Sequence, residues 1–195
     1  KTHNIYVPVS RTFQDIKIND LLTIPDNMPD IKEILKIDAW VKPGDIREMN
    51  EKAMVQGEIR LNTLYSSAEN GSPISVFHCI PFTEIVEAPG ADDDSVVAVS
   101  FDIKNIDVGI KGDLNGNTKI ISMESTVAAC VKVSKTVQEN LIDDCYSIND
   151  KEKTTKKTMK ISEFVTSENA RITSRITPET PKNMSVKEII SCTAT

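Results

Sequence analysis

Between Asp45 and Val133 the chain alternates apolar and polar residues almost without interruption. A period of two is the signature of half-buried strands, so this stretch can fold into little other than β-structure. Val55, Gly57, Ile59, Leu61 and Tyr65 share one face of such a strand, with Gln56, Glu58, Arg60 and Asn62 on the other. Ile74, Val76, Ile80 and Phe82 alternate with Ser75, Phe77, Cys79 and Pro81. Val97, Val99, Phe101 and Ile103 follow an acidic loop at 89–94, and a further run carries Ile106, Val108 and Ile110. The last long strand holds Ile121, Met123, Val127, Ala129, Val131 and Val133. Asn70-Gly71 and Asn115-Gly116 fit tight turns, and Pro43-Gly44 reads as another. The spacing predicts an all-β antiparallel sandwich or barrel over residues 35–133. Ile59, Leu61, Val76, Phe82, Val99, Phe101, Val127 and Val131 are expected in its core.

A second feature is a repeat. Ile24–Ala39 reads Ile-Pro-Asp-Asn-Met-Pro-Asp-Ile-Lys-Glu-Ile-Leu-Lys-Ile-Asp-Ala, and a shortened copy occupies Ile176–Ala194. With one deletion after Met184, Ile31–Leu35 falls on Val186–Ile190 and Ala39 on Ala194. Pro25 and Pro29 favour an extended entry, Asp30 could cap one helical turn over 31–35, and Leu35 to Lys42 then alternate as a strand. The motif is a lead-in to a β-domain. The expected organisation is an extended N-terminal arm (1–20), a β-domain (21–135), a charged connector (136–157) with at most a helical turn near 137–143, and a β-forming C-terminal segment (158–195). Pro8 within the alternating Ile5, Val7 and Val9 argues for an edge or unpaired strand.

Composition narrows the function classes. At 39 % hydrophobic and 27 % charged residues the chain reads as soluble and globular, and no apolar run nears the roughly 18 residues of a membrane span. A start at Lys1 leaves open a removed leader, a processed product or a fragment. The net charge of −6 disfavours a nucleic-acid interface. Four cysteines, Cys79, Cys130, Cys145 and Cys192, are too dispersed for a disulfide scaffold or a metal pair. They read as free thiols, or as cross-links within or between chains, with Cys192 near the chain end as the candidate cross-link.

A search for chemistry returns no catalytic, cofactor-binding or metal-binding set. His3 lies on the arm, and His78 adjoins Cys79 on a strand, where adjacent side chains point to opposite faces. Asp113 to Glu124 resembles a calcium loop only in part, because Thr118 stands where such a loop needs glycine, and an Asn-Gly hairpin accounts for the same residues. Asp92-Asp93-Asp94 reads as a solvated loop.

Ile24-Pro25, Met28-Pro29-Asp30-Ile31, Val55-x-Gly57-x-Ile59, Tyr65 and Ile80-Pro81-Phe82 together resemble the SPOCS domain of SipL-like spore-coat assembly proteins from endospore-forming Firmicutes, over roughly residues 12–135. The resemblance implies an assembly or structural role at the spore surface, with synthesis in the mother-cell cytoplasm and with itself and other spore-coat proteins as partners. Two readings follow: a non-enzymatic subunit that self-assembles into a layer or filament by strand exchange through its arms, or a non-polymerising adaptor between coat morphogenetic proteins. The candidate assembly residues are Ile5, Val7 and Val9 in the arm and Ile176, Val186, Ile189 and Ile190 in the tail, since exposed β-forming segments pair with the sheet edges of neighbours.

Overall fold

The computed structural model describes residues 2–142, 155, 157–158, 160, 172–177 and 185–192. Six antiparallel strands make up the fold: β1 (Thr2–Thr23), β2 (Ile31–Met49), β3 (Lys52–Ser67), β4 (Pro73–Glu87), β5 (Ser95–Lys111) and β6 (Ile120–Asn140). They form two three-stranded sheets, ordered β1-β6-β5 and β2-β3-β4, that pack face to face. The all-β sandwich expected from the alternation is what the chain adopts.

The central strands carry the core because each has a neighbour on both sides and a sheet opposite. On β3, Val55, Gly57, Ile59, Leu61, Thr63 and Tyr65 are all buried; on β6, Ile121, Met123, Ser125, Val127, Ala129, Val131 and Val133 are. Of the eight expected core residues, six are buried, and Val99 and Phe101 are half-buried against the core from β5. Thr63 is the polar exception on β3, with its hydroxyl buried and unpaired.

Gly57 and Phe82 explain one another. They are register partners on β3 and β4, and the Phe82 ring lies over the bare Cα so closely that a Cβ at position 57 would sit 2.4 Å from Cζ. The same ring meets Phe101 of the opposite sheet edge to face, with centroids 5.5 Å apart. An aromatic side chain covering a strand glycine replaces the packing that the glycine cannot supply.

The lead-in motif is the crossover between the two sheets. Ile24 is fully buried and its amide donates to the Lys119 carbonyl, while the Ile31 amide donates to Thr118. Asp30 accepts the Thr118 amide through its carboxylate and the Ala68 amide through its carbonyl. The Tyr65 hydroxyl donates to the Pro29 carbonyl at 3.1 Å, and Lys119 Nζ donates to the carbonyls of Asp26 and Met28. No helical turn follows: Asp30 spends its carboxylate on Thr118, and Ile31 opens β2 directly by pairing with Ser67.

Several boundaries differ from the expectation, for a common reason: bulges let strands run through positions that read as breaks. The expected arm is β1, paired with β6 from Thr2↔Asn140 to Thr23↔Ile120, and it absorbs the proline in a register shift between Pro8 and Ser10. Pro8 is thus on an edge strand and not an unpaired one. Pro43-Gly44 lies inside β2 at a shift between Pro43 and Ile46, and the two runs on either side of Lys104 are one strand, β5. The connector expected from residue 136 begins later, since β6 continues to Asn140 and Val137 pairs with Ile5 instead of entering a helical turn. The described part of the C-terminal segment contains no strand. The turns at Gly71 and Gly116 do form, with φ of 72° and 86°.

Candidate assembly surface

The N-terminal candidates are consumed within the fold. Ile5 and Val7 pair with Val137 and Lys135 and are half-buried. Val9, at the bulge, packs on Gly90, whose Cβ position would lie 2.5 Å from Val9 Cγ1. Over residues 10–14 the free edge of β1 is bridged by side chains to the end of β4 and to Pro89 just after it. Ser10 Oγ donates to the Pro89 carbonyl (2.6 Å) and Thr12 Oγ1 to the Glu87 carbonyl (2.9 Å). Gln14 acts as a surrogate peptide group: its Nε2 donates to the Ile85 carbonyl and its Oε1 accepts the Glu87 amide. On the opposite corner, Glu48 of β2 accepts the Val97 amide of β5. Occupied edge groups are poor templates for a foreign strand, and Ile5 and Val7 already pair with β6, so this stretch is not the unpaired arm that the alternation suggested.

The C-terminal candidates lie outside the sandwich. Ile176 is exposed, as are Val186, Ile189, Ile190 and Cys192. Residues 188–192 rest against the outer face of the β2-β3-β4 sheet. Asn62 Nδ2 donates to Ser191 Oγ at 2.7 Å, and Asn62 is itself oriented by Ser75, whose hydroxyl donates to Asn62 Oδ1 at 2.7 Å. Two shallow grooves run between segment and sheet. The larger, of about 460 Å³, is lined by Lys36, Leu64, Pro73 and residues 188–191. The smaller lies between Trp40, Asn62, Ser75 and Phe77 on the sheet and residues 190–192 of the segment.

Trp40 and Phe77 are the feature that reading for site residues missed. Both occupy outward positions, where the alternation places polar residues, and their rings meet at 6.0 Å between centroids. The signal was an aromatic residue out of phase with its own strand. Around them the face is charged: Arg60 pairs with Glu58 at 2.8 Å and Lys36 with Asp38 at 2.7 Å. The Arg60 hydrogen bond holds the Glu58 carboxyl below its ordinary value. Desolvation, and then the Glu58 carboxylate, push the Cys79 thiol up, which lowers its thiolate fraction.

The remaining sequence candidates have structural settings. His78 Nε2 sits 3.3 Å from the Thr23 carbonyl, tying β4 to the end of β1, and Cys79 is on the opposite, exposed face. Asp113 accepts the amides of Asn115 and Asn117 and the Asn117 side chain, as a turn residue does. Asp92 pairs with Lys135. Among the described residues no group of three or more His, Cys, Asp or Glu side chains is placed to hold a metal ion, and no helix is long and apolar enough to cross a membrane. Cys145 lies outside the described residues.

The buried glycine strand, the aromatic that covers it and the crossover that feeds them are the elements on which the family resemblance rests. Residues 30–111 match the family model of the SipL SPOCS domain. The resemblance read from the sequence is borne out. The SPOCS match spans β2 through β5, from Asp30 in the crossover to Lys111 at the end of β5. β1 and β6, outside the matched residues, complete the second sheet and supply eight of the 22 buried hydrophobic residues among those described. What the match shows is a likeness of these residues to the SipL SPOCS domain. No curated protein and no solved structure matches the chain.

Proposed function

We propose that the chain is a non-enzymatic structural subunit of the spore surface that assembles with copies of itself and with other coat proteins. The observation that carries this reading is the seating of the C-terminal segment on the outer face of the SPOCS-matching sheet, away from the core and with its large hydrophobics largely exposed. Where its edges are bridged by side chains, as along residues 10–14 of β1, a sandwich offers faces and tails for contact more readily than open strands. Strand exchange through the N-terminal residues is set aside, because β1 is already paired along its length. The tail is the connector that remains. If it seats on the next copy with a rotation that does not close, the product is a filament or layer. Synthesis in the mother-cell cytoplasm followed by maturation in the coat would take Cys192 from a reducing to a disulfide-permissive setting.

The second reading, a non-polymerising adaptor, draws support from the same contact, since a tail that covers its own domain leaves a monomer. Size-exclusion chromatography with electron microscopy of the purified chain separates the two. Filaments or sheets that grow with concentration support the subunit reading, and a monodisperse monomer at every concentration supports the adaptor.

A further inference from the structure

The outer face of β2-β3-β4 carries a strip of large apolar side chains on a face that is otherwise mostly polar, Ile85 being another exposed apolar position. Trp40 and Phe77, with Leu64 beside them, stand at outward positions and remain 39 % and 49 % exposed in the case of the two aromatics. Among the described residues, one segment lies on this strip, residues 188–192. Of that segment's large hydrophobics Ile190 is the least exposed, and it lines both grooves, against Leu64 and Pro73 on one side and Trp40 and Phe77 on the other. One directed hydrogen bond, from Asn62 to Ser191, sets its position.

The occupant is also marked by its sequence. Val186-Lys187-Glu188-Ile189-Ile190 copies Ile31-Lys32-Glu33-Ile34-Leu35, the segment that opens β2, and it lies beside Lys36, the next residue of that same strand. The contact uses side chains of the segment and of the sheet face, and it contains nothing that requires both to belong to one chain. Residues 141–187 separate β6 from the segment, and their covalent reach is on the order of 100 Å, so connectivity does not confine the segment to its own domain.

We propose that this face is a docking site for residues 188–192 of a second copy of the chain, with Ile190 as the anchor between the Leu64 and Trp40–Phe77 sides and Ser191 as the residue that Asn62 reads. The inference rests on the assembly reading and names its contact. A tethered segment competes for its own site at an effective concentration of roughly millimolar. Exchange between copies therefore takes over when copies are packed at that density, as in a surface layer, while dilute protein keeps the segment on its own face.

Disulfide trapping between two full-length variants tests this directly. The donor carries Cys192 as its sole cysteine, through C79S, C130S and C145S. The acceptor carries those substitutions with C192S and F77C, so only a contact between chains can join them. A control acceptor carries D102C in place of F77C, on the exposed outer face of β5. The mixture is oxidised by glutathione disulfide, each new interchain bond releasing two molecules of glutathione, and circular dichroism confirms that every variant is folded. The expected result is a donor–acceptor dimer that rises with concentration toward about 1 mM, exceeds the D102C control several-fold, and falls to the control level when the donor also carries I190D. A yield equal to the control at every concentration overturns the proposal. If filaments are nevertheless seen by microscopy, the assembly reading survives through another surface. If the trap succeeds and no polymer forms, the docking site stands and the filament fails.

Discussion

Replacing Gly57 by alanine puts a methyl carbon where the Phe82 ring already lies. The new Cβ would be 2.4 Å from Cζ, 2.7 Å from Cε1 and 3.1 Å from Cε2, all well inside van der Waals contact. The ring cannot simply swing aside, because its other contact is the edge-to-face pair with Phe101 across the sandwich, at 5.5 Å and 87°. Overpacking of a filled core costs about 1–3 kcal/mol. Surrender of the aromatic pair would add about 0.5–1.5 kcal/mol, and alanine's smaller unfolded-state entropy returns about 0.4–1 kcal/mol. The net expectation is a loss of about 0.5–4 kcal/mol, centred near 2. With a urea dependence of about 2 kcal/mol per molar, the unfolding midpoint falls by roughly 0.25–2 M, centred near 1 M. Urea unfolding followed by far-ultraviolet circular dichroism measures it. The cause is checked by a double-mutant cycle: in a Phe82→Leu background the same glycine substitution should cost less by at least about 0.5 kcal/mol. An unchanged midpoint for Gly57→Ala, or strict additivity with Phe82→Leu, would refute the claim that this glycine exists to admit the ring.

Other expectations follow from the same contacts. Deleting residues 1–12 should unfold or severely destabilise the chain, because it strips β6 of its partner from Asn140 to Val131; an unaltered thermal transition would contradict the pairing. Gln14→Ala should cost about 1 kcal/mol, and hydrogen exchange should quicken at the Glu87 amide that Gln14 now caps. Stability should decline on acidification: Lys135 holds the Asp92 carboxyl, and the Asn117 side chain the Asp113 carboxyl, below the ordinary 3.8. Groups with depressed values contribute above their unfolded pKa and lose that contribution as pH falls through the folded one. Melting temperature against pH reads this out, and Lys135→Met should remove the Asp92 share. If Cys192 cross-links copies in the coat, material taken from spores should show multimers that reductant dissolves and that C192S lacks.

Much of this architecture was legible because period-two alternation depends only on local geometry. Ile59, Leu61, Val127 and Val131 face inward for the same reason that they alternate. What the alternation does not encode is pairing partner. Ile5 to Val9 looked unattached because its partner, Ser134 to Val137, lies at the other end of the domain, where the last strand was expected to give way to a charged connector. Lys135 and Glu139 are charged because they stand on the partly solvated end of a strand, not because the strand has stopped. Bulges at Pro8, Pro43 and Lys104 had the same effect, since a proline or a phase slip reads as a break while a sheet edge absorbs it. The lead-in was recognised as a unit but given a helical turn, because the competing use of Asp30, as an acceptor for Thr118 far along the chain, is tertiary information. The tail candidates Ile176, Val186, Ile189 and Ile190 are exposed and outside the core, and the Trp40–Phe77 surface escapes an alternation reading because it lies on the otherwise polar face.

The central claim, that copies associate through the C-terminal segment while the sandwich stands on its own, meets its most direct test in one comparison. Wild-type chain and I190D are purified, matched in concentration up to about 1 mM, and imaged by negative-stain electron microscopy with circular dichroism as the fold control. The account predicts filaments or sheets from the wild type and dispersed particles with an unchanged β spectrum from I190D. Indistinguishable polymers from both proteins would contradict it.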